Sequence, residues 1–244
     1  MKENRLIEIY QLYDNLLKSI APVGEQLANL LGNNTYENFA FVGYDILKRI
    51  RGNIATLQFL PVNENSILAT RLIIRSVIGD LIIGLYLFTR NSKSFQKTID
   101  SLDYESLKSI NEFLETRARL YNNKRIRNII KNKYKSFLKT ERKKISIKLM
   151  DKELKNVDCP HIKKLELYAE YRVLSQSEHY SPKNRPFSYY FKDSEIFILE
   201  HARVIYHTTS LFIELIQFWV ENHEFNAISF TSKLNESKEN DITE

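Results

Sequence analysis

Residues 71–88, RLIIRSVIGDLIIGLYLF, are the most apolar stretch of the chain, yet they carry two arginines and an aspartate. A helix that is apolar all round belongs inside a packed protein or in a membrane. The charges decide between the two, because Arg71, Arg75 and Asp80 inside a membrane span would be costly and rare. The stretch therefore predicts a central helix of a soluble bundle and no membrane span. Arg71 and Arg75 lie four apart and share a face; Ser76 and Asp80, also four apart, share the adjoining one. Arg75 and Asp80 are too far from the helix ends to snorkel. Each must find a partner, in the other or on a neighbouring helix, since stranding one member of a buried ion pair costs roughly 3–5 kcal/mol.

Working outward, the same periodicity recurs. Leu6, Ile9, Tyr10, Tyr13, Leu16, Leu17 and Ile20 fall at three- and four-residue steps, one face of a helix, which Ala21-Pro22 is expected to end or kink. A second helix is expected over 36–60, stopping at Pro61, and the quoted stretch lies in a third, 63–89. Residues 91–103 read as polar and turn-like. Helical spacing returns over 104–121, then as a stripe from Ile126 to Leu149. Asp158-Cys159-Pro160 breaks the chain before a helix at 162–179; a loop with Pro182 and Pro186 leads to another at 194–223. No period of two and no internal repeat is visible. The expected fold is all-α: a single bundle of six or seven helices over 1–231, a basic helical segment at 117–150 able to project from it, and a disordered polar tail at 232–244.

Composition agrees. Apolar residues make up 43% of the chain, with 14 Tyr and 14 Phe, enough for a sizeable core, while only 6 Gly and 5 Pro imply few, long elements. A lone cysteine, Cys159, excludes an internal disulfide. The N-terminal MKENRLIEIY lacks the layout of a signal peptide, so the expected location is cytoplasmic. The net charge of +6 is unevenly spread: residues 117–148 hold thirteen Lys or Arg and one acid, a window of +12 in a chain otherwise at −6. Within it Arg125, Arg127, Lys131, Lys133, Lys135, Lys139, Arg142, Lys143 and Lys144, interleaved with Tyr134 and Phe137, are candidate nucleic-acid contacts. A solvated lysine-rich face is the competing reading.

Two later helices offer partners to the charges in 71–88. Tyr168, Arg172, Ser175 and His179 form one polar stripe. Glu200, Arg203, His207, Ser210, Glu214, Gln217 and Glu221 form another, which reads as a solvated face. Ser175 and His179 are spaced as a nucleophile and base, but no nucleophile elbow surrounds the serine. Asp158, Cys159 and His161 lack the further ligands that zinc requires, and no phosphate-binding glycine loop is present, so neither a metal nor another cofactor is expected.

RSVIGDLI (75–82) and YRVLSQSEHYSP (171–182) resemble a broad group of bacterial all-helical proteins known only as a domain of unknown function. In that group an early helix carries an Arg-Ser-x-x-Glu-Asp-like run and a later one a Tyr-x-x-Leu-Ser-x-x-x-His run. Arg75, Ser76 and Asp80 match the first, with Gly79 where an acid is usual; Tyr171, Leu174, Ser175 and His179 match the second. More loosely, Arg172 to His179 resembles the Arg-and-His signature of the HEPN (higher eukaryotes and prokaryotes nucleotide-binding) superfamily, many of whose members are metal-independent RNases of bacterial defence. Val173 stands where that signature usually has a polar residue. The resemblance implies a homodimer with the site between chains, and catalytic roles for His179, Arg172, Arg75, Asp80 and Ser175. His179 would move a proton at a ribose 2′-hydroxyl or leaving oxygen, and an arginine would stabilise charge on the phosphate. The expected function is thus a HEPN-like RNase or RNA-binding protein. The alternative is a non-enzymatic interaction protein whose buried polar cluster only fixes helix packing.

Overall fold

The computed structural model describes residues 2–31, 37–63, 66–120, 128, 145–175 and 194–243. Among them are eight helices, α1 (Lys2–Leu30), α2 (Glu37–Phe59), α3 (Ile67–Phe88), α4 (Ser92–Leu120), α5 (Ile147–Leu154), α6 (Leu167–Ser175), α7 (Ser194–Asn222) and α8 (Ala227–Thr243), plus one helical turn at Pro160–Lys163. No strand occurs among the described residues. The all-α expectation holds, with one helix more than six or seven.

Four long helices make the frame. α1 packs on α2, α2 on α3, α3 on α7, and α7 closes back on α1. The greasy helix α3 also packs against α5 and α6. Covered from several sides, its C-terminal half has no face left for water, while Leu68, Leu72 and Ser76 toward its start stay exposed. That is why its sequence shows no polar stripe, and why Ile74, Val77, Ile78, Leu81, Ile82 and Leu85 are fully buried.

Side-chain contacts fix the directions. Asn53 meets Ser76 and Arg49 meets Asp80, so α2 and α3 run antiparallel. Arg71 lies over Phe197, and Gly84 lies against Phe212, so α3 and α7 run parallel. At one end of the frame Phe39 stacks on Trp219 with ring centroids 3.7 Å apart, and Phe88 lies 4.1 Å from Phe39. This aromatic knot joins α2, α3 and α7, and Phe95 at the start of α4 adds an edge to it.

Several local expectations are corrected. Pro22 does not end α1, which runs through to Leu30. Val23 and Leu27 just beyond it are buried, and their packing offsets the hydrogen bond that proline removes. Residues 92–103 are helical rather than turn-like: Asn91 accepts from the Ser94 amide as a cap, and Phe95 and Thr98 supply a buried face. The helix expected at 162–179 is broken before Leu167, where Asp151 on α5 accepts from the Tyr168 amide and restarts it. The tail expected to be disordered is helical to Thr243, because Phe230 and Leu234 bury its first turns. No helix among the described residues is long and apolar enough to cross a membrane.

Candidate functional site

The polar groups of α3 meet a cavity. It has a volume of about 280 Å³ and is lined by Arg49 of α2, by Leu72, Arg75, Ser76, Gly79, Asp80 and Ile83 of α3, by Ile147 of α5 and by Tyr171 of α6. Three polar contacts involve its lining residues. Arg49 donates to Asp80 Oδ1 at 2.5 Å, Arg75 donates to the Tyr171 hydroxyl at 3.0 Å, and Asn53 donates to Ser76 Oγ at 3.3 Å. The Arg75 guanidinium also lies 4.8 Å from the centre of the Tyr171 ring, a cation–π arrangement. Gly79 makes room for that ring, since a Cβ there would stand 3.3 Å from Tyr171 Cε2.

Asp80 is the group most out of place. Its side chain is 4% exposed, whereas that of its partner Arg49 is 55% exposed. Burial pushes the Asp80 carboxyl up to about 6, against the pull of Arg49 and with a smaller push from Asp45. Its second oxygen, Oδ2, has no hydrogen-bond partner among the described residues. The pocket thus holds two guanidinium groups and a carboxyl that changes charge close to neutrality, a combination suited to an anionic ligand and to proton transfer.

A second polar cluster lies on the neighbouring face. His201 of α7 is buried; its Nδ1 donates to the Phe197 carbonyl at 2.8 Å. Its Nε2 lies 3.1 Å from Glu170 Oε2, close enough for an ion pair though not aligned as a hydrogen bond. Both ring nitrogens face oxygen atoms, the Phe197 carbonyl and the Glu170 carboxylate. The contact with His201 holds the Glu170 carboxyl below its usual range. Because Glu170 adjoins Tyr171, this pair ties α6 to α7 and steadies the tyrosine that lines the cavity.

Comparison with known proteins finds no match. No family model fits the chain, and no curated protein or solved structure matches it.

Arg75 and Asp80 therefore share one cavity, but they are not paired with each other. Arg172 is exposed on α6 and does not line the cavity. Ser175 donates its hydroxyl to the Tyr171 carbonyl at 2.6 Å, one turn back along the helix. His179 and all nine basic candidates, Arg125, Arg127, Lys131, Lys133, Lys135, Lys139, Arg142, Lys143 and Lys144, lie outside the described residues. The stripe on α7 is a solvated face: Arg203 pairs with Glu8 and Glu221 with Lys233 in exposed ion pairs. Asp158 pairs with Lys163, and Cys159 is buried in the core. Sequence reasoning missed Arg49, Glu170 and His201. The place of His201 on the apolar Ile198, Ile205, Phe212 face was a signal for the last, whereas Arg49, beside Lys48 and Arg51, left none.

Proposed function

We propose that the cavity holds a phosphodiester of RNA and that the chain is a HEPN-like, metal-independent ribonuclease. What supports this is the meeting of Arg49, Arg75, Asp80 and Tyr171, from three helices, on one cavity. Arg75 and Arg49 neutralise the charge that grows on the phosphate oxygens in the transition state. His179 takes the proton from the ribose 2′-hydroxyl. The 2′-oxygen attacks phosphorus and the 5′-oxygen leaves, giving a 2′,3′-cyclic phosphate and a 5′-hydroxyl. The Asp80 carboxyl, in its protonated form, gives its proton to the leaving oxygen. The basic run at 117–148 holds the rest of the strand by its backbone.

The test is to incubate RNA with the protein and a metal chelator, beside Arg75→Ala, Asp80→Asn and His179→Ala. Cleavage to cyclic phosphate ends is expected, with a loss on the order of a hundredfold or more for the arginine variant. Intact RNA with wild-type protein sinks the reading. Neutralising Lys131, Lys133 and Lys135 together is expected to weaken RNA binding and flatten its salt dependence.

A second reading rests on the same contacts. Arg49–Asp80, Arg75–Tyr171 and Asn53–Ser76 pair groups from α2, α3 and α6 with one another, as struts of a non-enzymatic interaction protein would. Under it, the variants change the melting temperature and leave RNA untouched.

A further inference from the structure

The Arg49–Asp80 contact spans the cavity that is read above as a phosphate site, and it sets up a competition. Among the described residues Arg49 has one carboxylate partner, Asp80 Oδ1 at 2.5 Å. Any anion that enters must share that guanidinium with Asp80 or displace it. With Asp80 ionised, the charges of Arg49, Arg75 and Asp80 leave the cavity one positive charge, and the carboxylate repels the incoming anion. With Asp80 protonated, the cavity carries two, and the half-exposed Arg49 is free to turn toward the ligand.

We propose that the pocket is a proton-coupled oxyanion site: a phosphate or sulfate group engages Arg49 and Arg75 together as Asp80 takes up a proton and releases Arg49. The proposal rests on the reading that the cavity accepts a phosphate group. The groups around Asp80 favour the exchange. Arg49 and Asp45 face it from α2, and Arg75 and Ser76 share the cavity from its own helix. Among the described residues, Tyr171 is the polar group from α6, α5 contributes Ile147, and α7 lends no lining residue and no third cation to Asp80. The Asp80 carboxyl already sits well above its ordinary range because it is buried, so little further cost is needed to protonate it. Its Oδ2, unpartnered among the described residues, gives up no hydrogen bond to them when it gains the proton. By linkage the coupling is reciprocal: the proton strengthens anion binding, and the anion strengthens proton binding.

The probe is inorganic sulfate, whose own charge stays constant across the range. Titration calorimetry on the full chain at constant ionic strength, run in buffers of different ionisation enthalpy, reads affinity and proton uptake together. Sulfate is expected to bind on the order of tenfold tighter at about pH 5 than at about pH 7.5, a coupling within the usual range, with protons taken up at the higher pH. Asp80→Asn is expected to bind at both values as wild type does at the lower one, and Arg75→Ala to lose the binding. A wild-type affinity that is flat with pH, an Asp80→Asn affinity at the higher pH no tighter than wild type, or no sulfate binding at all overturns the proposal. Should the variants fail to fold, the wild-type pH series and proton uptake decide alone. Inert RNA together with pH-coupled sulfate binding removes the nuclease reading and leaves this one standing.

Discussion

At the scale of single residues, Asp80 sets the balance between stability and function. Its carboxyl is raised from 3.8 to about 6 in the fold, so the folded chain holds this proton more tightly than the unfolded one. A raised carboxyl contributes stability that is fully present below its unfolded value and is lost as pH rises through the folded one. Between about pH 4 and pH 6 wild type is therefore expected to lose stability from this group, on the order of 3 kcal/mol. Asp80→Asn should remove that slope and be at least as stable as wild type near neutrality, since Arg49 is half exposed and keeps its water when released. Urea unfolding at a series of pH values checks this; a marked destabilisation of the variant at neutral pH contradicts it. Arg75 and Asp80 were legible because ions are conspicuous in an apolar helix. Arg49 was not, because it stands among Lys48 and Arg51 on a helix already half polar, where one more cation carries no signal.

At the scale of elements, α3 and α7 touch where one side chain is missing. A Cβ on Gly84 would stand 2.6 Å from Phe212 Cζ, so Gly84→Ala is expected to cost about 1–3 kcal/mol by overpacking. Gly52 faces open space, and Gly52→Ala should instead add about 1 kcal/mol through helix propensity. Thermal melts of the two variants test the pair together. The short helix α6 depends on a different contact. Glu170→Gln removes the carboxylate partner of the buried His201 and is expected to cost roughly 1–3 kcal/mol, with faster amide exchange in 167–175. Glu170 is held below its ordinary 4.5, so this contribution is present above that value and is lost as pH falls below it. Unchanged exchange in α6 would break the link between this pair and the position of Tyr171. The long helices were legible from apolar spacing alone. Their ends were not, because Val23 and Leu27 carry α1 past Pro22 and Asp151 restarts α6 from another helix, and tertiary contacts of that kind leave no local mark.

At the scale of the whole molecule, the bundle closes with α8. Phe230 is fully buried and packs against Phe218 and Phe225, whereas residues from 237 onward are mostly polar. A chain ending after residue 236 is expected to melt as the full chain does, and one ending after residue 226 to melt several degrees lower, from the loss of a buried Phe worth about 3–5 kcal/mol. Equal melting of the two would mean that α8 contributes nothing to the frame. The frame has a further consequence. α1 and α3 both lie against α7, with Glu8 reaching Arg203 across most of the chain. While the ribosome is still making the middle of the protein, the apolar sides that α1 and α3 turn toward α7 have nothing to rest on. At ordinary translation rates that interval lasts on the order of ten seconds, during which the nascent chain presents aggregation-prone surface until α7 emerges.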